Sequence, residues 1–298
     1  MTVLVLIRRW FFRALILLIE PLAGVSAHAL ELEHHKDRLF AYPKTIEASD
    51  GGARRVIDYR EMRDINGRDA VPERRAHGQY VDTGVRAAQR DLALRGRAGI
   101  VRHFAVGRTE GARVIVIYLH GKGGNRRQGV DDFTFGGNFN RIKNLAVKSG
   151  GLYLSPDFSD FSQKGAGEIA ALIEHYAKAS PAARIVVACG SMGGAVCWAL
   201  ADGKASSRHL AGLMLLGSMW HERFLKSPGF AARIPVFFGH GSRDTVFPVE
   251  RQEAFFRKIR AAAPGYPVRF VRFETGTHGT PIRMTDWRET INWMLSSR

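Results

Sequence analysis

From Ile100 to the C-terminus, apolar runs of strand length alternate with segments of helical periodicity, and this alternation narrows the fold more than any other feature. Val114-Ile115-Val116-Ile117-Tyr118-Leu119 is a continuous, largely β-branched run bounded by Gly111 and Gly121, the pattern of a parallel strand buried on both faces. Further strands are expected at 100–106, 152–154, 184–189, 210–216, 235–238 and 268–273, with helices at about 139–148, 167–179, 192–201, 249–262 and 286–295. In the second of these helices Ile169, Leu172, Ile173 and Tyr176 fall on one face. Neither a repeat nor a Pro/Gly-rich linker interrupts the alternation. It predicts one α/β domain over residues 30–298, built as a mostly parallel central sheet with helices on both faces. Its leading part, residues 30–99, is poorly defined. Residues 39–59 could pair as a hairpin around Asp50-Gly51-Gly52, but the Arg-rich stretch to Arg97 has little periodicity.

Residues 1–29 read as a targeting segment. Arg8, Arg9 and Arg13 precede the apolar run 14–19, and Ala27-His28-Ala29 offers a cleavage site, so export to the periplasm or beyond is expected. The run is too short to span a bilayer, which takes about 20 apolar residues. Arg8-Arg9-Trp10-Phe11-Phe12-Arg13 also resembles a bacterial twin-arginine signal. The alternative is an amphipathic helix retained in the mature protein. Composition excludes other classes: 45 % hydrophobic and 24 % charged residues rule out a disordered chain and a polytopic membrane protein. Two cysteines rule out a disulfide framework or a four-cysteine zinc site. The 44 basic against 28 acidic residues leave a formal charge of +16, which favours anionic partners. The cations are scattered as pairs without a nucleic-acid motif, so specific nucleic-acid binding is not expected.

In such a sheet ligands bind beyond the carboxyl ends of the strands. Three loops there carry chemistry. After residues 184–188 comes Cys189-Gly190-Ser191-Met192-Gly193-Gly194, a strand that ends, a serine among small residues, and a helix that starts at once. Such a turn strains the serine backbone, pushes its hydroxyl out of the sheet and puts a helix N-terminus behind it. The competing readings are a turn packed for its own sake or a phosphate loop, and neither glycine-rich phosphate pattern is present. His120-Gly121-Lys122-Gly123-Gly124 follows a second strand, where glycines let main-chain N–H groups turn toward an oxyanion. Asp244 follows the strand at 235–238 and His278 follows the last strand. A serine needs a base to take its proton, and the base needs a carboxylate to orient it.

The order Ser191, Asp244, His278, with these flanking glycines, resembles the α/β-hydrolases of the serine esterase, lipase and carboxylesterase type. The resemblance covers roughly residue 100 to the C-terminus and departs from the usual pattern at Cys189, where the elbow's first glycine is expected. It implies Ser191 as nucleophile, His278 as general base and then acid, and Asp244 as the residue that orients His278. It further implies main-chain oxyanion donors at Met192 and Lys122 beside Gly121. The implied reaction is hydrolysis of a carboxylic ester through an acyl-enzyme, without cofactor or metal. Amide or thioester cleavage on the same site, or non-catalytic binding of an acidic glycan or lipid, are the alternatives. The partner expected is a small-molecule or acyl-ester substrate, and the positive charge would suit an anionic one.

Other polar residues carry blander readings. His120 and His240 read as loop anchors, and Asp131, Asp132 and Asp157 as a solvated loop without a metal. Phe158, Phe161, Trp220 and Phe224 are candidates to line an acyl pocket. The eight-residue separation of Cys189 and Cys197 across a strand-to-helix turn argues against a disulfide. Only Ser218 to Arg233 lies between two strands beside the site, room for a short lid at most.

Overall fold

Ten strands form one sheet in the computed structural model, which describes residues 30–96 and 98–297. The proposed export signal at 1–29 lies outside the described residues. In chain order the strands are β1 (Thr45–Ser49), β2 (Arg54–Ile57), β3 (Gln89–Gly96), β4 (Gly99–Gly107), β5 (Val114–Leu119), β6 (Leu152–Pro156), β7 (Arg184–Gly190), β8 (Leu210–Leu216), β9 (Val236–Gly241) and β10 (Val268–Phe273). Their spatial order is β1-β2-β10-β9-β8-β7-β5-β6-β4-β3. The block from β2 to β6 in that order is parallel throughout. Antiparallel strands close it at both edges, β1 on β2 and the β3–β4 hairpin on β6.

The main helices are α1 (Asn138–Lys148), α2 (Gln163–Ala179), α3 (Gly194–Asp202), α4 (Val249–Ala262) and α5 (Trp287–Ser296). Because strand side chains alternate, β5 feeds two cores at once. Ile115, Ile117 and Leu119 pack with Ile169 and Leu172 of α2, Val196 of α3 and Phe255 of α4. Val114, Val116 and Tyr118 pack on the other face with Phe139 and Ile142 of α1 and Ile291 of α5. Helix α2 begins earlier than its apolar stripe suggests. The Ser162 hydroxyl accepts from the Lys164 N–H, and Asp160 Oδ1 accepts from the Gly165 N–H at 3.1 Å, so local polar caps set its start.

The leading segment supplies both sheet edges. The expected hairpin around residues 50–52 is β1–β2, and β2 joins the sheet beside β10 with Arg54 opposite Phe270. Strand β3, inside the stretch that showed no periodicity, is an exposed edge whose polar side chains hide its period. Ahead of these strands the chain is anchored by charge. The fully buried Arg141 of α1 donates to Asp286 at 2.9 Å and to Asp37 at 3.1 Å, with its guanidinium 4.9 Å from the Phe40 ring centre.

Two expectations are corrected here. Cys189 and Cys197 form a disulfide, because α3 folds straight back along β7 and brings their Cα atoms to 6.3 Å. That lies inside the usual bridging range of about 4.4–6.8 Å; a count of residues says little once the chain reverses. Asp132 is not in a solvated loop. It is buried, meets Lys143 Nζ at 2.7 Å and accepts from Arg86 Nε at 2.6 Å, so it neutralises a cation buried under α1. Asp157 likewise accepts from Arg126 at 2.7 Å. None of the described helices is long and apolar enough to cross a membrane.

Candidate active site

Ser191 sits where β7 ends, in a left-handed conformation with φ of 51°. A non-glycine residue held there is strained, and such strain persists only where the surroundings over-determine it. They do so by close approach. A Cβ on Gly193 would stand 2.8 Å from the carbonyl oxygens of Leu119 and His120, and one on Gly121 would stand 2.8 Å from the Ser191 Cβ. The two glycines let the elbow and the loop after β5 touch. That contact lays Gly121 alongside the serine, with Lys122 lining the same cleft.

His278 follows β10 and Asp244 follows β9, so two neighbouring parallel strands deliver them to the same edge as Ser191. The Ser191 hydroxyl and His278 Nε2 are 2.8 Å apart, and His278 Nδ1 lies 2.8 Å from Asp244 Oδ2. The other carboxylate oxygen, Oδ1, accepts from the main-chain N–H groups of Val246 at 2.8 Å and Phe247 at 3.0 Å. Burial alone would raise the Asp244 pKa. The His278 bond and the two N–H donors outweigh it and hold the carboxyl below its ordinary range. The three sequence candidates are thus brought together in one hydrogen-bonded chain.

The two bystander histidines anchor loops, as their position suggested. His240 Nε2 donates to the Phe247 carbonyl at 2.7 Å, fixing the turn that holds Asp244, and burial lowers its pKa so that it stays neutral. His120 Nδ1 bonds the Gly121 carbonyl at 2.9 Å while its ring stacks on Phe158, centroids 4.5 Å apart. Phe158 and Phe161 therefore buttress the loop after β5. Phe224 is core against Trp198, and Trp220 lies under the Arg251 guanidinium. None of these four lines the cleft at Ser191. The segment after β8 packs down on α3, where Trp198 Nε1 donates to the Met219 carbonyl and Ser218 Oγ donates to the Ser191 carbonyl. It supports the elbow from behind and does not cover the serine.

A cleft of about 230 Å³ opens beside Ser191 and His278. Tyr118, Gln128, Phe135 and Ile282 form its walls, and Lys122 and Gly279 its mouth. Sequence reasoning missed those wall residues. Tyr118 alone left a trace, as the one hydroxyl in an otherwise aliphatic strand.

No protein-family model matches the chain, and no curated protein does. Solved structures do match. An esterase from Pyrococcus furiosus superposes with a TM-score of 0.51 at 17 % identity, over 70 % of this chain and 91 % of that one. A putative alpha/beta hydrolase from Agrobacterium tumefaciens reaches 0.55 at 16 % identity, over 70 % and 95 %. A serine hydrolase without lid from Xanthomonas campestris reaches 0.51 at 15 % identity, over 70 % and 94 %. The chain has the α/β-hydrolase fold, with helices on both faces of its sheet and at most a short segment beside the site.

Proposed function

We propose that this protein is a serine hydrolase that cleaves carboxylic esters, with Ser191, His278 and Asp244 as its catalytic triad. The observation that carries the reading is the pair of 2.8 Å contacts linking the strained Ser191, His278 and Asp244. The esterases and serine hydrolases that share the fold support it. Ser191 Oγ attacks the ester carbonyl while His278 Nε2 takes its proton. Asp244, kept ionised, stabilises the imidazolium and fixes the tautomer. The main-chain N–H groups of Met192 and Lys122 receive the oxyanion, and His278 then returns the proton to the departing alkoxide. Water, deprotonated by the same histidine, releases the acid from the acyl-enzyme and restores the serine.

The exposed Lys122 at the cleft mouth supports acceptance of an anionic substrate. We also propose export, carried by residues 1–29 and in keeping with a disulfide, which persists in oxidising compartments. A fluorophosphonate probe and a graded series of p-nitrophenyl esters test the main reading. Labelling and turnover are expected in the native protein and lost in Ser191→Ala. Turnover that survives in Ser191→Ala would overturn the assignment, and an inert native protein would favour the non-catalytic reading.

A further inference from the structure

The cleft beside Ser191 holds polarity that the catalytic steps do not use. Tyr118 is buried at 1 % exposure, its ring fixed edge-on against Phe139 with centroids 4.6 Å apart. No described residue hydrogen-bonds its hydroxyl. That hydroxyl comes up beside the nucleophile: a Cβ on Gly190, the residue before Ser191, would lie 2.7 Å from it. A second buried atom in the same wall, Gln128 Oε1, also has no partner among the described residues. The neighbouring Tyr153 shows the contrast. Equally buried one strand over, it donates to the Gly129 carbonyl at 2.7 Å and is satisfied. Buried polar groups are nearly always paired, so two orphans on residues that line one cleft, one near Gly190 and one near Gly124, mark a place for a ligand's polar atoms.

The chemistry of the pair limits that ligand. Burial pushes the Tyr118 phenol up, so it stays protonated and can donate as well as accept. Gln128 Oε1 accepts. A hydroxyl group is the smallest substituent that both donates and accepts, and the rest of the wall, Phe135 and Ile282, is apolar. A cleft of about 230 Å³ is modest, given that a cavity of about 150 Å³ takes a benzene ring. Resting on the serine-hydrolase reading above, we propose that Tyr118 and Gln128 form a specificity subsite for a hydroxyl group. The preferred substrates are then short hydroxylated esters and not plain alkyl ones. An unsubstituted alkyl group would leave both buried atoms unpaired, and a site built that way discriminates far more strongly than an apolar pocket does.

The test is a set of matched esters on the full chain. On the acyl side, p-nitrophenyl 3-hydroxybutyrate is compared with p-nitrophenyl butyrate; on the alcohol side, 2-hydroxyethyl butyrate with ethyl butyrate. The native enzyme should favour the hydroxylated member of one pair by about tenfold or more in kcat/KM, the scale of one buried hydrogen bond. Tyr118→Phe should erase most of that preference, lowering kcat/KM for the hydroxylated ester about tenfold more than for the plain one. Gln128→Leu, at a half-buried position of the turn after Arg127, provides a second variant should Tyr118→Phe fold poorly. A merely structural role would move both esters of a pair together. Equal kcat/KM within both pairs, or a preference untouched by both substitutions, would overturn the subsite while leaving the hydrolase reading intact. Absence of turnover together with an unlabelled Ser191 would overturn both.

Discussion

The chain after Gly99 and the segment before it are held by different forces. Behind the candidate site, strands such as β5 and β8 are buried along their whole length, and their side chains meet α1 to α5 in two continuous apolar cores. The leading segment joins these cores only through scattered residues such as Leu32, Ile57, Ile65 and Val85, and Phe40, Ala76 and Tyr80 form a small cluster of their own. The segment is pinned by Arg141 to Asp37, by Arg283 to Asp69, and by Asn140 and Asn144 to the Asp82 carbonyl. Burial by apolar area is forgiving of small changes, because each methylene contributes less than about 1 kcal/mol. A buried charge is not forgiving, because removing its partner leaves a desolvated ion. One region should therefore fail gradually under substitution and the other abruptly.

The largest effect expected belongs to neither framework. Ser191→Ala should lower kcat for ester substrates by about 10⁴-fold or more, since a triad acts as a unit, while both regions stay folded. Parallel thermal melts and p-nitrophenyl ester assays check this, and a collapse in melting temperature alongside the loss of rate would count against a purely chemical role.

The next effect separates the two regions directly. Arg141→Met takes from the part-buried Asp37 and Asp286 their shared cation, although Asp37 keeps Arg288, and should cost about 2–3 kcal/mol. Ile117→Val, at an equally buried position of β5, should cost only about 0.5–1.5 kcal/mol. Urea unfolding of both variants measures the gap. Equal costs would mean that the leading segment is held by its apolar contacts after all.

The same difference explains what could be read from sequence. Apolar burial writes a period into the chain, so β8, α4 and β10 fall on the very residues their patterns indicated. Ser191, Asp244 and His278 were legible because parallel strands must deliver their following loops to one edge, and chain order then suffices. Ion pairs write no period. Arg141, Asp132 and Lys143 look like surface charges in a helix and its preceding loop, yet all three are buried. The cleft walls were hidden for a related reason. Tyr118, Gln128, Phe135 and Ile282 come from four separate segments that only the tertiary fold brings together.

Within the legible half the disulfide is the exception, and it supplies the third test. A bridge closing so short a loop as Cys189–Cys197 should contribute about 2–3 kcal/mol through the unfolded state. Comparing Cys189→Ala/Cys197→Ala with the native protein, under oxidising and reducing conditions, reads that contribution. The native protein should lose stability on reduction and the double variant should not respond. Both sulfurs are fully buried beside the elbow.

The smallest effect expected returns to the leading segment and its charges. His35 is buried where that segment meets α1, its Nε2 unpartnered among the described residues. Desolvation, reinforced by the positive charges of Lys148, Lys36 and Arg141 against the single opposing Asp82, pushes its pKa down to about 4. An unfolded histidine titrates near 6.5, so above that pH His35 is neutral in both states and costs nothing. As pH falls below 6.5 the unfolded chain binds a proton that the folded one refuses, and stability is lost progressively until the folded form also titrates near 4. Between pH 7 and 5 this amounts to about 2 kcal/mol. His103, His120, His209 and His240 are shifted in the same direction and contribute slopes of their own. The measurement is therefore a difference: urea unfolding of the native protein and of His35→Phe across this window. The variant should lose less stability on acidification by about that amount, whatever its stability at pH 7. Parallel curves would show that His35 is protonated as readily in the fold as out of it, and that the positive surroundings of the leading segment do not reach its ring.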